Sequence, residues 1–167
     1  MPNDSTGHDD PFAHLVRAHG RIEEQLVHLE RAADALRDPA HRATALEGIA
    51  DVLAFFSLAG AQHNDDEERT LFPQLRGLPA FAQMLDAFDV QHRMNDAAFA
   101  QLVAAARGFA PGAEAKIRDL AFRFADMHRG HIIAEERALF PLAAKALAPD
   151  VVAQMGVEMS ERSASTS

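Results

Sequence analysis

The chain has 167 residues, no cysteine, tryptophan or tyrosine, and a formal net charge of −9 at pH 7. That length suits one domain with a real hydrophobic core, and the missing cysteines exclude disulfides, thiolate zinc sites, iron–sulfur clusters and cysteine nucleophiles. Tyrosyl-radical chemistry is excluded with the tyrosines, and the negative charge argues against nucleic acid or an anionic membrane as partner.

Met1 to Pro11 is polar and acidic with no apolar centre, so no signal peptide is expected and residues 1–11 read as disordered. Helix A is predicted over residues 12–37, where Phe12, Leu15, His19, Ile22, Leu26, Leu29, Ala33 and Leu36 recur in steps of three and four, and Asp38-Pro39 stops it. Helix B is predicted over 42–72, with the stripe Leu46, Ile49, Leu53, Phe56, Gly60, His63, Glu67, ending before Pro73. Helix C, over 80–107, carries Phe81, Leu85, Phe88, His92, Asn95, Phe99, Leu102 and Ala106. Helix D, over 113–146, carries Ile117, Ala121, Phe124, His128, His131, Glu135, Ala138 and Leu142. Past Pro149, Val151 to Met159 reads as a short helix, and Ser-rich Glu161 to Ser167 as disordered. No segment alternates like a strand, and no apolar run approaches the ~20 residues that span a bilayer, so a cytoplasmic address is expected. The expected architecture is all-α: an up-down-up-down four-helix bundle over residues 12–148, followed by a short helix and tail over 149–167.

One phrase is written twice, 68 residues apart. His63-Asn64-Asp65-Asp66-Glu67-Glu68-Arg69-Thr70-Leu71-Phe72-Pro73 returns as His131-Ile132-Ile133-Ala134-Glu135-Glu136-Arg137-Ala138-Leu139-Phe140-Pro141. His and Glu four residues apart project from one helix face, one turn apart. At ~1.5 Å per residue, with alternating helix directions, His19, the His63/Glu67 pair, His92 and the His131/Glu135 pair fall in the same half of the bundle. Four imidazoles and two carboxylates therefore converge in an apolar core. A buried carboxylate without a partner costs several kcal/mol, roughly, so the convergence points to two divalent cations bridged by carboxylates and completed by neutral imidazoles. Nitrogen and oxygen donors without sulfur suit iron or manganese, with zinc or copper as adventitious occupants. The competing reading, hydrogen-bonded core histidines and salt-bridged glutamates, suits one stripe histidine better than six groups at one level.

His128 lies on the helix D stripe, one turn before His131, and reads either as a fifth imidazole ligand or as a group hydrogen-bonded around the metals. Asp96, four residues after His92 and off the stripe, reads as a hydrogen-bond partner or surface residue more than as a ligand. Glu68 and Glu136 read as solvated partners of Arg69 and Arg137, and within Asp65-Asp66-Glu67-Glu68 only Glu67 is expected to face inward. His8, His14, His28 and His41 read as surface.

The stripe histidines of helices A and C, combined with the doubled His-x-x-x-Glu-Glu-Arg-x-Leu-Phe-Pro segment on B and D, resemble the hemerythrin-like (HHE cation-binding) family over about residues 12–146. The resemblance implies a four-helix bundle holding two non-haem iron ions, with an oxo or hydroxo bridge between them. It implies His19, His63, Glu67, His92, His131 and Glu135 as ligands, Glu67 and Glu135 bridging. The chain departs from oxygen-carrying hemerythrins at two points. Where they place a second histidine on the third helix, this chain has Asp96, which leaves a fifth nitrogen to His128 or an open coordination position. Their last carboxylate lies five residues after its histidine, which would select Glu136; the stripe phase and the repeat favour Glu135.

The first functional expectation is a di-iron protein that binds O2 or NO for storage or sensing, in a dry pocket formed by Phe56, Phe88, Phe99, Phe124 and Ile132. The alternatives are an enzyme acting on peroxide or NO, an iron storage or donation protein, and a bundle with a vestigial site. No redox partner is named by the residues.

Overall fold

In the computed structural model, residues 10–165 are described. The chain enters its first helix, α1 (Pro11–Ala35), through Asp10, whose carboxylate accepts the Phe12 N–H at 3.1 Å, while Pro11 takes a first-turn position that needs no donor. Helix α2 runs Arg42–Arg76. A 3₁₀ turn, Pro79–Phe81, leads into α3 (Ala82–Arg107), and α4 spans residues 114–146. A fifth helix, α5 (Pro149–Ser165), closes the described chain.

Four of these helices form an up-down-up-down ring in which α1 meets both α2 and α4, and α3 meets α4 and α2. The apolar stripes decide which faces turn inward: Leu15, Ile22, Leu26, Leu29 and Ala33 of α1 are all buried. The core divides into two clusters. One gathers Leu26, Leu29, Ile49, Leu53, Leu102, Ile117 and Phe124; the other gathers Leu15, Phe72, Leu85, Phe88, Phe140 and, from α5, Met155 and Met159. Buried polar residues, among them His19, His63, Glu67, His92, Asn95, His131 and Glu135, interrupt the same stripes between those apolar stretches.

The structure departs from the sequence expectations in four places. Helix α2 does not end at Phe72 but runs through Pro73 to Arg76. A proline inside a helix leaves the carbonyl four residues back without its donor and crowds it with the ring. Both α2 and α4 carry a π turn just before the proline, Glu67–Leu71 and Glu135–Leu139, in which the N–H of Phe72 reaches back to the Glu67 carbonyl and that of Phe140 to the Glu135 carbonyl, and α2 has a further π turn at Phe56–Gly60. A π turn inserts one extra residue, so the stripe of α4 slips by one. Leu139 and Ala143 are buried, while Leu142, expected inside, is 46% exposed. The 35-residue α2 is also long and apolar enough, by length and composition, to span a bilayer, contrary to the reading that no run approaches this; here one face of it lies in the bundle core. Finally, Glu161 to Ser165, expected to be disordered, continue the helix begun at Pro149. The disorder expected for residues 1–9 and 166–167 lies outside the described residues.

Candidate metal centre

His19 comes from α1, His63 and Glu67 from α2, His92 from α3, and His131 and Glu135 from α4; all six are buried. They fall into two groups that share both carboxylates: His19, His63, Glu67 and Glu135 in one, His92, His131, Glu67 and Glu135 in the other, each with one donor atom per residue within 4.8 Å of the rest. Glu67 reaches His63 Nε2 through Oε1 and His92 Nε2 through Oε2, both at 3.3 Å. Glu135 reaches His131 Nε2 at 3.2 Å and His19 Nε2 at 3.3 Å, again through different oxygens. Each carboxylate therefore spans the two groups.

These approaches are close without satisfying the groups. Both oxygens of Glu67, both of Glu135, and Nε2 of His19 and His63 are buried without a hydrogen-bond partner among the described residues. Orphaned polar atoms at such burial are costly, and here all six face one another. The separations fit a shared ion: two donors at right angles, each about 2.1 Å from a metal, stand ~3.0 Å apart. His92 Nε2 and His131 Nε2 are 3.0 Å apart. The donor set, imidazole nitrogen and carboxylate oxygen without sulfur, suits iron or manganese.

The repeated segment explains how the rings are held, and here the sequence reading is corrected. Glu68 and Glu136 are not simply solvated partners of the neighbouring arginines. Glu136 meets His19 Nδ1 at 2.8 Å, and Glu68 meets His92 Nδ1 at 2.6 Å. Each copy thus places its first glutamate in the centre and its second on the outer nitrogen of a histidine from another helix. The same copy sends its phenylalanine to stack on that ring: Phe140 on His19 with centroids 5.6 Å apart, Phe72 on His92 at 5.6 Å. A carboxylate on Nδ1 fixes the tautomer and aims Nε2 inward. Gln91 accepts from His131 Nδ1 at 2.9 Å, whereas His63 Nδ1 has no hydrogen-bond partner among the described residues.

Protonation follows the same geometry. Burial pulls the His92 imidazole down, but the carboxylates of Glu67, Glu68 and Glu135 outweigh it and raise its pKa to about 9. His19 is raised against burial by Glu135, Glu67 and Glu136. His63, where burial dominates, is lowered to about 4. Glu135 is held below the usual carboxylate range because His131 and His19 overcome its desolvation.

The remaining candidates fall outside the two groups. Glu136 lies on the far nitrogen of His19. Asp96 is exposed beside a cavity, and His128 lies on that cavity's wall. The cavity, about 460 Å³, reaches His63 and His131 from between the helices. Ile22, Phe56, Phe99, Phe124 and Ile132 make its apolar wall, while Asn64, Glu68 and Asp96 add polar groups. Phe88, expected in this pocket, instead meets the His131 ring edge-to-face at 5.5 Å and packs in the other cluster.

Two further residues read as surface are not. Asp66 is buried, bonded to His14 Nε2 at 3.0 Å and to Arg162 Nη1, and Arg162 Nη2 also donates to Thr70 Oγ1 at 3.0 Å. The neighbour of Glu67 thus ties α5 to α1 and α2. No local pattern announces it, because its partners lie 52 and 96 residues away.

Residues 10–154 match the family described as the hemerythrin HHE cation binding domain. An uncharacterized protein of Haemophilus influenzae is 26% identical over 156 residues, which are 92% of this chain and 90% of that protein.

Proposed function

This chain belongs to the hemerythrin HHE cation-binding family, and on that premise we propose that it is a non-haem di-iron protein whose cavity takes a small ligand, O2 or NO, for storage or sensing. His19 and His63 would hold one ion, His92 and His131 the other, and Glu67 and Glu135 both. The observation that supports this reading is the pair of four-residue groups sharing two carboxylates whose oxygens have no hydrogen-bond partner among the described residues. When bound, such an ion pair supplies one- or two-electron chemistry toward a small ligand. The chain's own residues do the rest. Glu68, Glu136 and Gln91 orient imidazoles through Nδ1, Phe72 and Phe140 fix ring planes by stacking, and the phenylalanines of the cavity exclude water beside the centre.

A second reading, chemistry on peroxide, is favoured by the imidazole of His128 on the cavity wall. The proposed ligand set is tested by metal content after growth in iron. Wild type should carry two irons per chain. Glu67→Ala and Glu135→Ala should each empty both positions, because each carboxylate serves both, whereas His63→Ala should leave one ion in place. Full iron content in Glu135→Ala would sink the ligand set. A wild type without iron would end the di-iron reading, and the absence of any spectral change with O2 or NO would end the ligand reading.

A further inference from the structure

The internal repeat breaks on the cavity wall. Three residues before His63 stands Gly60, and three before His131 stands His128; both line the cavity. At Gly60 even a Cβ would come within 3.0 Å of the Phe56 ring, so α2 contributes space where α4 contributes an imidazole. The His128 ring lies against Phe56 and Phe124, with centroids 5.2 and 4.3 Å away. Its Nδ1 meets the Phe124 carbonyl at 3.3 Å. A carbonyl only accepts, so Nδ1 carries the hydrogen and Nε2 keeps its lone pair. His128 is in neither group of converging donors. Burial, helped by the charges of His131 and His92, pushes its pKa to about 4 against the Phe124 hydrogen bond, so the ring is neutral at ordinary pH. No lysine or arginine lines the cavity among the described residues, and Glu68 and Asp96 do.

We propose that His128 gives this cavity a hydrogen-bond acceptor: its Nε2 accepts from an uncharged small molecule carrying an O–H, of the hydrogen peroxide class, the ligand of the second reading above, and adds a contact that O2 and NO cannot make. The inference rests on the reading of the cavity as the ligand site of the two-metal centre. O2 and NO have no hydrogen to offer a bare imidazole nitrogen, whereas a hydroperoxide has one. An anion gains nothing from Nε2 and meets the carboxylates of Glu68 and Asp96 on its way in.

Two measurements test it. Nitrogen NMR of the zinc-loaded protein should find His128 Nε2 unprotonated and shifted by added hydrogen peroxide; a protonated Nε2, or one unmoved at saturating peroxide, overturns the proposal. Stopped-flow absorption on the iron-loaded protein then gives affinities for hydrogen peroxide and for NO in wild type, His128→Leu and His128→Gln. The peroxide-to-NO ratio should fall about tenfold in His128→Leu, the scale of one neutral hydrogen bond, and return to within about threefold of wild type in His128→Gln, whose amide oxygen accepts. Equal loss for both ligands would mean a packing role and overturn the proposal. NO binding with an unchanged ratio would remove the role of His128 alone. Wild type that binds neither ligand would remove the ligand-site reading and this inference together.

Discussion

At the scale of single residues, the centre depends as much on the groups behind the imidazoles as on the imidazoles. Glu68 and Glu136 are 47% and 38% exposed, so their removal should leave the fold nearly unchanged. They nevertheless hold Nδ1 of His92 and His19. Glu68→Gln and Glu136→Gln should therefore weaken metal affinity about 10–100-fold in chelator competition while unfolding curves of the metal-free protein barely move. Protons report on the same ring. His92, raised to about 9 from 6.5, stabilises the metal-free fold fully below its ordinary pKa, and that contribution is lost as pH rises through about 9. Glu135, lowered, acts in the opposite sense: its contribution is present above the ordinary carboxylate range and is lost as pH falls through its depressed value. A metal ion must displace the His92 proton, so apparent affinity should climb with pH up to about 9, and loading at neutral pH should acidify an unbuffered solution. Affinity independent of pH across that window would contradict the protonated ring.

At the scale of elements, the doubled segment is a helix with a built-in phase slip. The π turn before Pro141 turns Leu139 into the core and Leu142, 46% exposed, out of it. Leu139→Ala should cost about 2–5 kcal/mol and Leu142→Ala no more than about 0.5 kcal/mol by chemical denaturation; comparable costs would place the stripe in the unslipped register. The tying of α5 is the second element-scale feature. Arg162→Ala leaves the buried Asp66 carboxylate, among the described residues, with only its contact to His14 and should destabilise by about 3 kcal/mol, read from the denaturation midpoint. Periodicity made the four bundle helices legible, because a buried stripe repeats every three or four residues. It could not show the slip, since the rule assumes 3.6 residues per turn and the π turn breaks that assumption. Nor could it show that α5 reaches Ser165, because that segment is tied partly by Arg162, which reaches Asp66 and Thr70 far back in the chain.

At the scale of the whole molecule, the carboxylates of Glu67 and Glu135 and four imidazoles are buried at one level of a largely apolar bundle core. Metal binding to the native state alone shifts folding by RT ln(1 + [L]/Kd), about 4 kcal/mol at a thousandfold excess over Kd. Stripping metal with a chelator should accordingly lower the melting temperature by several degrees and restoring iron should recover it; an unchanged melting temperature would mark these residues as core polar groups indifferent to metal. The sequence by itself determined which residues meet at the centre and at what level, because helical spacing and a repeat of 68 residues are local, countable facts. Only the tertiary structure decided what stands behind them: Glu68 against His92, Glu136 against His19, Asp66 against Arg162, Phe88 away from the cavity and His128 on its wall. Those are contacts between helices, fixed by rotation and crossing of neighbouring elements, and one chain's periodicity carries no information about how another helix is turned.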